Sequence, residues 1–544
     1  MQKKLPHWVP LIIFLAAGLW LIFLTQGLPV GDPDDWDHVL AASDLSWSTL
    51  IKNFSIPWSQ STLWSGQVDR MNEVLHRRLF RSFILKGSVD LFGYHAFPFY
   101  FFSKVLFFSG TVTILFLLIH SITSSYFASF AGTVFYFFVP AHYTHVLWLS
   151  DPDTIVHFLM VLGIFIYLKI LKRLDQNDHP SGIFIVALIA IGWTAMKTKE
   201  SALILPLALG FYTLIHLFQS RKRLKEHFIL ISIFAFLAFF IVPISVLKNQ
   251  SSGSPLHFNF DVLNRLIFRN YRCGYEDEQV SAFFSTLSVW PVSIARTFGF
   301  YLLWALVASV ILYLIRRTHK KYIFFGDHLP GICFLWVLIW LFFAGTFQPD
   351  PRYFSGVMIP LTILSVQLFH QVISSYGGKI KWLILSVVYF SVASALLENI
   401  QHVCFLRALI GQRTDRFFNI GQSIYEDRYG KSTLSNIGRY YSASYKRDQT
   451  NQRRLEEDTY YVEMDYALWN RSNNPNIEEY KLFTKKGFPY YATFDKNLMQ
   501  QDSRIQLIRE ISGINQSLFE HLYYLLKKKT PGPMYVFKFV ESPV

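Results

Sequence analysis

Charge is scarce in this 544-residue chain. Asp, Glu, Lys and Arg make up 16% of it, against roughly 25% in an ordinary soluble domain, and the shortfall argues against a soluble globular protein. Cysteine is nearly absent: three residues cannot build a disulfide framework. No repeat with a period of roughly 20–50 residues recurs, which sets solenoid architectures aside, and no A-x-A cleavage site follows the first apolar run. What abounds is apolar and aromatic, with 52% hydrophobic residues including 53 Phe, 29 Tyr and 14 Trp, more than one aqueous core would bury. These residues gather into blocks about as long as a bilayer is thick. The composition is that of a membrane chain.

Apolar runs of about 20 residues fall near 8–28, 97–119, 126–141, 155–171, 182–196, 201–218, 228–247, 295–315, 331–347, 354–375 and 381–397, predicting about eleven spans. The first is too long for a signal h-region and reads as an uncleaved signal anchor. Lys and Arg in short loops set orientation. With the amino terminus inside, the cytoplasmic segments hold Lys3, Lys4, Lys169, Lys172, Arg173, Arg221, Lys222, Arg223, Lys225, Arg316, Arg317, Lys320, Lys321, Lys379 and Lys381. The opposite short connections hold only Lys197, Lys199 and Arg352. This placement accounts for much of the formal charge of +14 and leaves no basic stripe for nucleic acid.

The fold expected is an all-α polytopic membrane bundle over residues 1–397, with 29–96 and 248–294 as outer loops. A small soluble α+β domain over 398–544 follows on the non-cytoplasmic side. Its strand-like runs are TYYVEMD (459–465) and MYVFKFVE (534–541), and 502–528 reads as helix.

The first outer loop opens GDPDDWDHVL, with Asp32, Asp34, Asp35 and Asp37 in six positions. Crowded carboxylates are unfavourable unless a cation, a general-base role or open water relieves them. A structural reading is also open, because Asp32 as N-cap, Pro33 at the first helical position and acids in the first turn make an ordinary helix start. Asp32 with Asp34 also fits a short D-x-D pattern for a divalent cation. Trp36, Trp47, Trp58 and Trp64 suit the headgroup level, so the loop is expected to lie along the interface as short helices. His142 and His145, beside Asp151 and Asp153, read either as metal ligands or as interfacial histidines. Lys104 is the most deeply placed ionisable residue. Cys273 and Cys404 could pair, and Asn53, Asn249, Asn470 and Asn515 open N-x-S sequons.

Several motifs, in order, resemble those of the polyprenyl-phosphate-sugar-dependent GT-C glycosyltransferases, and within them the protein O-mannosyltransferase-related group that includes the tetratricopeptide-bearing mannosyltransferases. Asp34-Asp35 after the first span is similar to that group's "DD". RRLFRSFILKGSVDLFG (77–93) resembles its "RPL…LFG" block, and PAHYTHVLWLS (140–150) resembles "HPxHxExVxWIS" at His142 and Trp148. MKTKESALILP (196–206) resembles "LSKExxxxLP" at Lys199, Glu200 and Pro206, and PDPRYFSGVMIP (349–360) resembles "ERYLYLP" at Arg352, Tyr353 and Pro360. The likeness spans about residues 8–375. Thr144 stands where the group has Glu and Pro152 where it has Arg, no Pro follows Arg78, Tyr100 and Ser103 stand where a His and an Asn usually open the second span, and the tetratricopeptide tail is missing.

The resemblance implies a membrane hexosyltransferase, mannose-like in its donor, that moves a sugar from polyprenyl phosphate to an acceptor on the non-cytoplasmic face, with inversion. Asp34 or Asp35 would be the base, and Arg352 and Lys199 would meet the phosphate. Asp37, His142, Glu200 and Tyr353 are further candidates for the substrate site, with Glu200 paired to Lys197 or Lys199. No cofactor is required beyond a possible divalent cation at Asp32 and Asp34. The expected partners are the lipid-linked donor, membrane lipids and an acceptor that is protein, lipid or glycan; the setting is a bacterial plasma membrane rather than the endoplasmic reticulum. The competing readings are a transporter or flippase, which would place ionisable groups near mid-membrane, and a non-catalytic assembly factor.

Overall fold

In a computed structural model of the chain, the residues described are 6–30, 33–56, 79–149, 151–220, 223–241, 328–344, 355–376, 378–431, 433–435, 460–462, 490–493, 504–511 and 533–540. The helices are α1 (Trp8–Thr25), α2 (Pro33–Asp44), α3 (Trp47–Ser55), α4 (Leu79–Phe92) and α5 (Ala96–Thr123), which contains a π turn at Phe101–Val105. Then come α6 (Tyr126–Phe137), α7 (Pro140–Leu147), α8 (Asp153–Asp175), α9 (Gly182–Met196), α10 (Ile204–Ser220) and α11 (Leu224–Ile241). After these stand α12 (His328–Ala344), α13 (Ser355–Ser375) and α14 (Gly378–Tyr429).

Six helices among the described residues are long and apolar enough to cross a membrane, against about eleven spans expected over the whole chain: Trp8–Thr25, Ala96–Thr123, Asp153–Asp175, Ser201–Ser220, Ser355–Ser374 and Lys381–Cys404. The runs expected at 126–141 and 182–196 form helices of 12 and 15 residues, short of the ~20 needed to span. Pro140 cuts the first of these by opening α7 with its fixed φ and missing N–H. The run at 295–315 lies outside the described residues.

Helix α8 is the hub. It packs against α5, α9 and α10, while α10 pairs with α11 and α12, and α13 with α5, α6 and α12. Small residues allow the close approaches. A Cβ on Gly110 of α5 would come within 2.5 Å of the Phe158 ring on α8, and one on Gly192 of α9 within 2.6 Å of Leu237 on α11. In lipid, where water gives helices no hydrophobic push toward one another, such close packing supplies much of the attraction. The α8 span is 67% buried, whereas the Lys381–Cys404 span is 17% buried and presents Trp382, Leu383, Phe390 and Leu397 outward. An apolar face of that kind is suited to lipid tails.

The boundary expected at residue 398 falls inside α14, whose 52 residues run about 78 Å. Beyond it, buried Arg407 donates from Nε to the Leu24 carbonyl at 2.6 Å and from Nη2 to that of Gln26 at 3.1 Å, capping the end of α1. The helix leads to a four-stranded sheet of β1 (Tyr460–Val462), β2 (Tyr490–Thr493), β3 (Ile505–Ile511) and β4 (Met534–Phe539), in the order β1-β2-β4-β3. β1 and β2 are parallel, the other pairs antiparallel. β3 takes residues 505–511 of the stretch 502–528 expected as helix, of which 512–528 lie outside the described residues; its register is irregular between Leu507 and Arg509. Asp427 of α14 holds the sheet, accepting from the Tyr490 hydroxyl at 2.7 Å and from Lys538 at 2.8 Å. That pairing holds the Asp427 carboxyl below its ordinary value despite partial burial.

Candidate functional site

The segment from His145 to Asp153 joins α7 to α8 and is gripped from beneath by buried donors. Lys104 donates to the carbonyls of His145, at 2.7 Å, and of Asp151; Tyr100 donates to Leu147 O at 3.2 Å, and Arg81 to Leu149 O at 2.5 Å. The π turn of α5 bears on this geometry, since it carries Lys104 and leaves the Ser103 carbonyl to accept from Thr154 Oγ1 at 3.0 Å. Backbone acceptors that water cannot reach are thus satisfied by side chains, and the connection is fixed rather than loose.

That backbone aims three ionisable groups at one another. His145 Nδ1 lies 2.6 Å from Asp151 Oδ2 and 3.3 Å from Asp153 Oδ2, while its Nε2 is 2.7 Å from the hydroxyl of Ser355 at the start of α13. Lys199, in the turn before α10, reaches Asp153 Oδ2 at 2.5 Å and Asp151 Oδ1 at 3.7 Å. Asp151 Oδ1 also accepts from the Asp153 backbone N–H at 3.1 Å, so it caps α8. Burial alone would lower the basicity of His145, but Asp151 and Asp153 outweigh it and raise the value. Burial would raise the Asp151 carboxyl, but His145 and Lys199 hold it well below its ordinary range.

Asp35 belongs to this neighbourhood. Its side chain is buried in the first turn of α2, and Asp35, Arg81, Asp151 and Asp153 all lie close enough to act on the charge of Lys104. The helix-start reading of this acidic run therefore holds for the backbone without exhausting the role of Asp35. The side chains of Asp34, Asp37 and Glu200, and all of Asp32, Arg352 and Tyr353, lie outside the described residues.

The neighbouring candidates take different places around this cluster. His142 stands one turn before His145, both rings 6.1 Å from that of His157, but it is held by packing alone: it is buried, its ring 4.2 Å from that of Tyr136, and neither ring nitrogen has a hydrogen-bond partner among the described residues. Burial pushes it well below its ordinary value, so it packs as a neutral ring beside the cluster. Lys199 is engaged by Asp153 and Asp151, its expected pairing with Glu200 lying outside the described residues, and Lys197 donates to the carbonyls of Asn53 at 3.2 Å and Ile56 at 2.5 Å. Burial brings the Lys197 ammonium down to about 7; it holds the end of α3.

Smaller expectations resolve as well. Trp36 is buried in protein, so its indole is not open to lipid headgroups. Asn53 is buried, and its amide donates to Thr49 O at 2.8 Å within α3, which leaves no room for a glycan. Cys404 is a free thiol, and Cys273 lies outside the described residues. His145, Asp151 and Asp153 each offer one ligand atom within 4.8 Å of the others, so a divalent cation fits the donor set, in competition with the Lys199 ammonium. Sequence reasoning gave Arg81 and Tyr100 no role at the site, one lying within the 77–93 block and the other noted as a departure from the group's motif.

No family model and no curated protein matches the chain. Among solved structures, ArnT from Cupriavidus metallidurans bound to undecaprenyl phosphate is similar to it, with a TM-score of 0.46 and 12% identity over 98% of this chain and 99% of that one. At that distance the reaction has to be argued from the residues.

Proposed function

We propose that the chain is a membrane glycosyltransferase that moves a hexose from a polyprenyl-phosphate donor to an acceptor hydroxyl on the non-cytoplasmic face of a bacterial plasma membrane. The observation that carries the reading is the gathering of Asp35, Arg81, Lys104, His145, Asp151, Asp153 and Lys199 at one end of α8, the end opposite the basic loops. A lipid-linked phosphate meets protein at such a level, and its departure needs cations beside a base.

In this reading Asp35, or its neighbour Asp34, takes the acceptor proton as that oxygen attacks the anomeric carbon. The bond from carbon to phosphate oxygen breaks on the opposite side, and the polyprenyl phosphate leaves with the electron pair, so configuration inverts. Lys199, 20% exposed on its side chain, is the cation of the cluster that a ligand can reach, and Arg352 joins it on the phosphate through two parallel hydrogen bonds. Asp153 keeps Lys199 charged and aimed until the donor arrives. Purified protein in nanodiscs, given radiolabelled polyprenyl-phosphate hexoses and candidate acceptors, is expected to bind donor and release polyprenyl phosphate. Absence of both binding and turnover with every such donor would overturn the proposal, and unaltered cellular function of Asp35→Asn and Asp34→Asn would favour an assembly factor.

A further inference from the structure

At the far end of α8 a second cluster forms from four helices. Asp175 is the last residue of α8, His216 lies in the last turns of α10, His227 in the first turn of α11, and His328 opens α12. Asp175 Oδ1 is 3.0 Å from His216 Nε2, and Asp175 Oδ2 is 2.6 Å from His328 Nε2. The ligand atoms of Asp175, His216 and His328 all lie within 4.8 Å of one another. Behind them His227 Nε2 lies 2.8 Å from His216 Nδ1, and the Tyr212 hydroxyl 3.0 Å from His328 Nδ1.

The hydrogens of this chain do not close without an added positive charge. His227 Nδ1 faces the Arg223 carbonyl at 2.8 Å and so carries its proton, which leaves a lone pair on Nε2 of the neutral ring. His216 must then donate from Nδ1, and its Nε2 turns a lone pair toward the Asp175 carboxylate. Two acceptors facing each other at 3.0 Å repel unless a cation or an extra proton lies between them. Asp175 also sits at a helix C-terminus, where the backbone dipole disfavours an anion.

We propose that Asp175, His216 and His328 bind a divalent transition-metal ion, zinc by the chemistry of the donors. One carboxylate and two imidazoles, each imidazole oriented through its second nitrogen, make a three-ligand set with a fourth position for water. Tetrahedral zinc would need ligand atoms about 3.3 Å apart, so the 3.0 and 2.6 Å contacts to Asp175 would open slightly as both imidazoles turn onto the ion. Asp175 and His328 are 43% and 26% exposed on their side chains, which gives the ion a way in. Bound there, the metal clamps α8, α10 and α12, with α11 held through His227. The inference does not depend on the reaction proposed above, since the two ends of α8 are about 33 Å apart.

The test uses the full chain, stripped with chelator in detergent and titrated with Co2+ and Zn2+. Expected are d–d bands of four-coordinate cobalt, about one equivalent of tightly held zinc by elemental analysis, and at least tenfold weaker binding in Asp175→Asn and in His216→Ala/His328→Ala. His145→Ala, which removes a ligand at the other end of α8, is expected to keep this equivalent. Folded wild-type protein that takes up neither metal would overturn the proposal and assign the added charge to a proton. Zinc retained by folded Asp175→Asn and by the double variant but lost from His145→Ala would overturn it as well. Because His145→Ala removes the other cation-capable cluster among the described residues and leaves the Asp175 end intact, its cobalt spectrum assigns the site even where an Asp175 or histidine variant misfolds.

Discussion

Each end of α8 sets aspartate against histidine, with opposite results. At the Asp153 end, carboxylates meet a lysine and also a histidine whose basicity they raise, the backbone beneath is tied down by Lys104, Arg81 and Tyr100, and little of the cluster reaches solvent. At the Asp175 end, imidazoles take the place of ammonium groups and the carboxylate is 43% exposed. Fixed charges suit a site that must hold and neutralise a phosphate; imidazole lone pairs suit a site that loads and unloads a cation. The comparison teaches that counter-charge type and access, more than residue composition, separate the two chemistries.

The largest expected effect breaks the comparison at its first end. If Asp35 is the base, Asp35→Asn lowers kcat for sugar transfer by about 10²–10⁴-fold while donor affinity changes little, measured by product formation in nanodiscs. An equal loss of binding and rate would make Asp35 a folding residue instead. Next in size is Lys104→Met. Removing a fully buried ammonium that serves two carbonyls and offsets three aspartates should cost about 3–5 kcal/mol of stability, read as a lower unfolding midpoint. A small shift would mean that neighbouring groups, rather than Lys104, hold the connection in place.

Much of the helical frame was legible because lipid-length apolar runs announce themselves, and the Lys199 region and Asp35 were placed near the site by charge in otherwise apolar surroundings. What failed did so for identifiable reasons. Hydropathy marks where apolar residues stop, not where a helix stops, so α14 continued through residue 397 and Arg407 capped α1 unseen. The polar helix formers Gln506, Arg509 and Glu510 concealed β3, whose identity comes from pairing with β4. His142 and His145 look equivalent in sequence, but one turn of α7 turns one into packing and the other toward Asp151. The tie from Lys104 to backbone carbonyls depends on a π turn that no periodicity reveals.

Packing at the upper part of α8 offers a smaller and sharper probe. Gly110→Ala places a Cβ within 2.5 Å of the Phe158 ring, so α5 and α8 must part or the ring must turn. The expected cost is about 1–3 kcal/mol, seen as a lower unfolding midpoint. Because Phe158 is five residues from Asp153 and far from Asp175, transfer activity should fall while metal uptake at the other end persists. Equal loss of both would show that α8 transmits the disturbance along its length.

The smallest effect concerns pH and tests whether the Asp153 end is held by ionised pairs. His145 is raised above its ordinary value, its burial outweighed by Asp151 and Asp153, so its charged form binds more strongly in the folded state. Its stabilisation is fully present below the unfolded value of about 6.5 and is lost as pH rises through the folded value. Asp151 is depressed, so its contribution is present above about 3.8 and lost as pH falls toward its folded value. Wild-type protein should therefore lose stability as pH rises above about 6.5, by about 1.4 kcal/mol for each unit by which His145 is raised, and His145→Gln should flatten that slope. An unfolding midpoint that falls equally with pH in both proteins would place the titration elsewhere, and the contrast between the two ends of α8 would then rest on geometry alone.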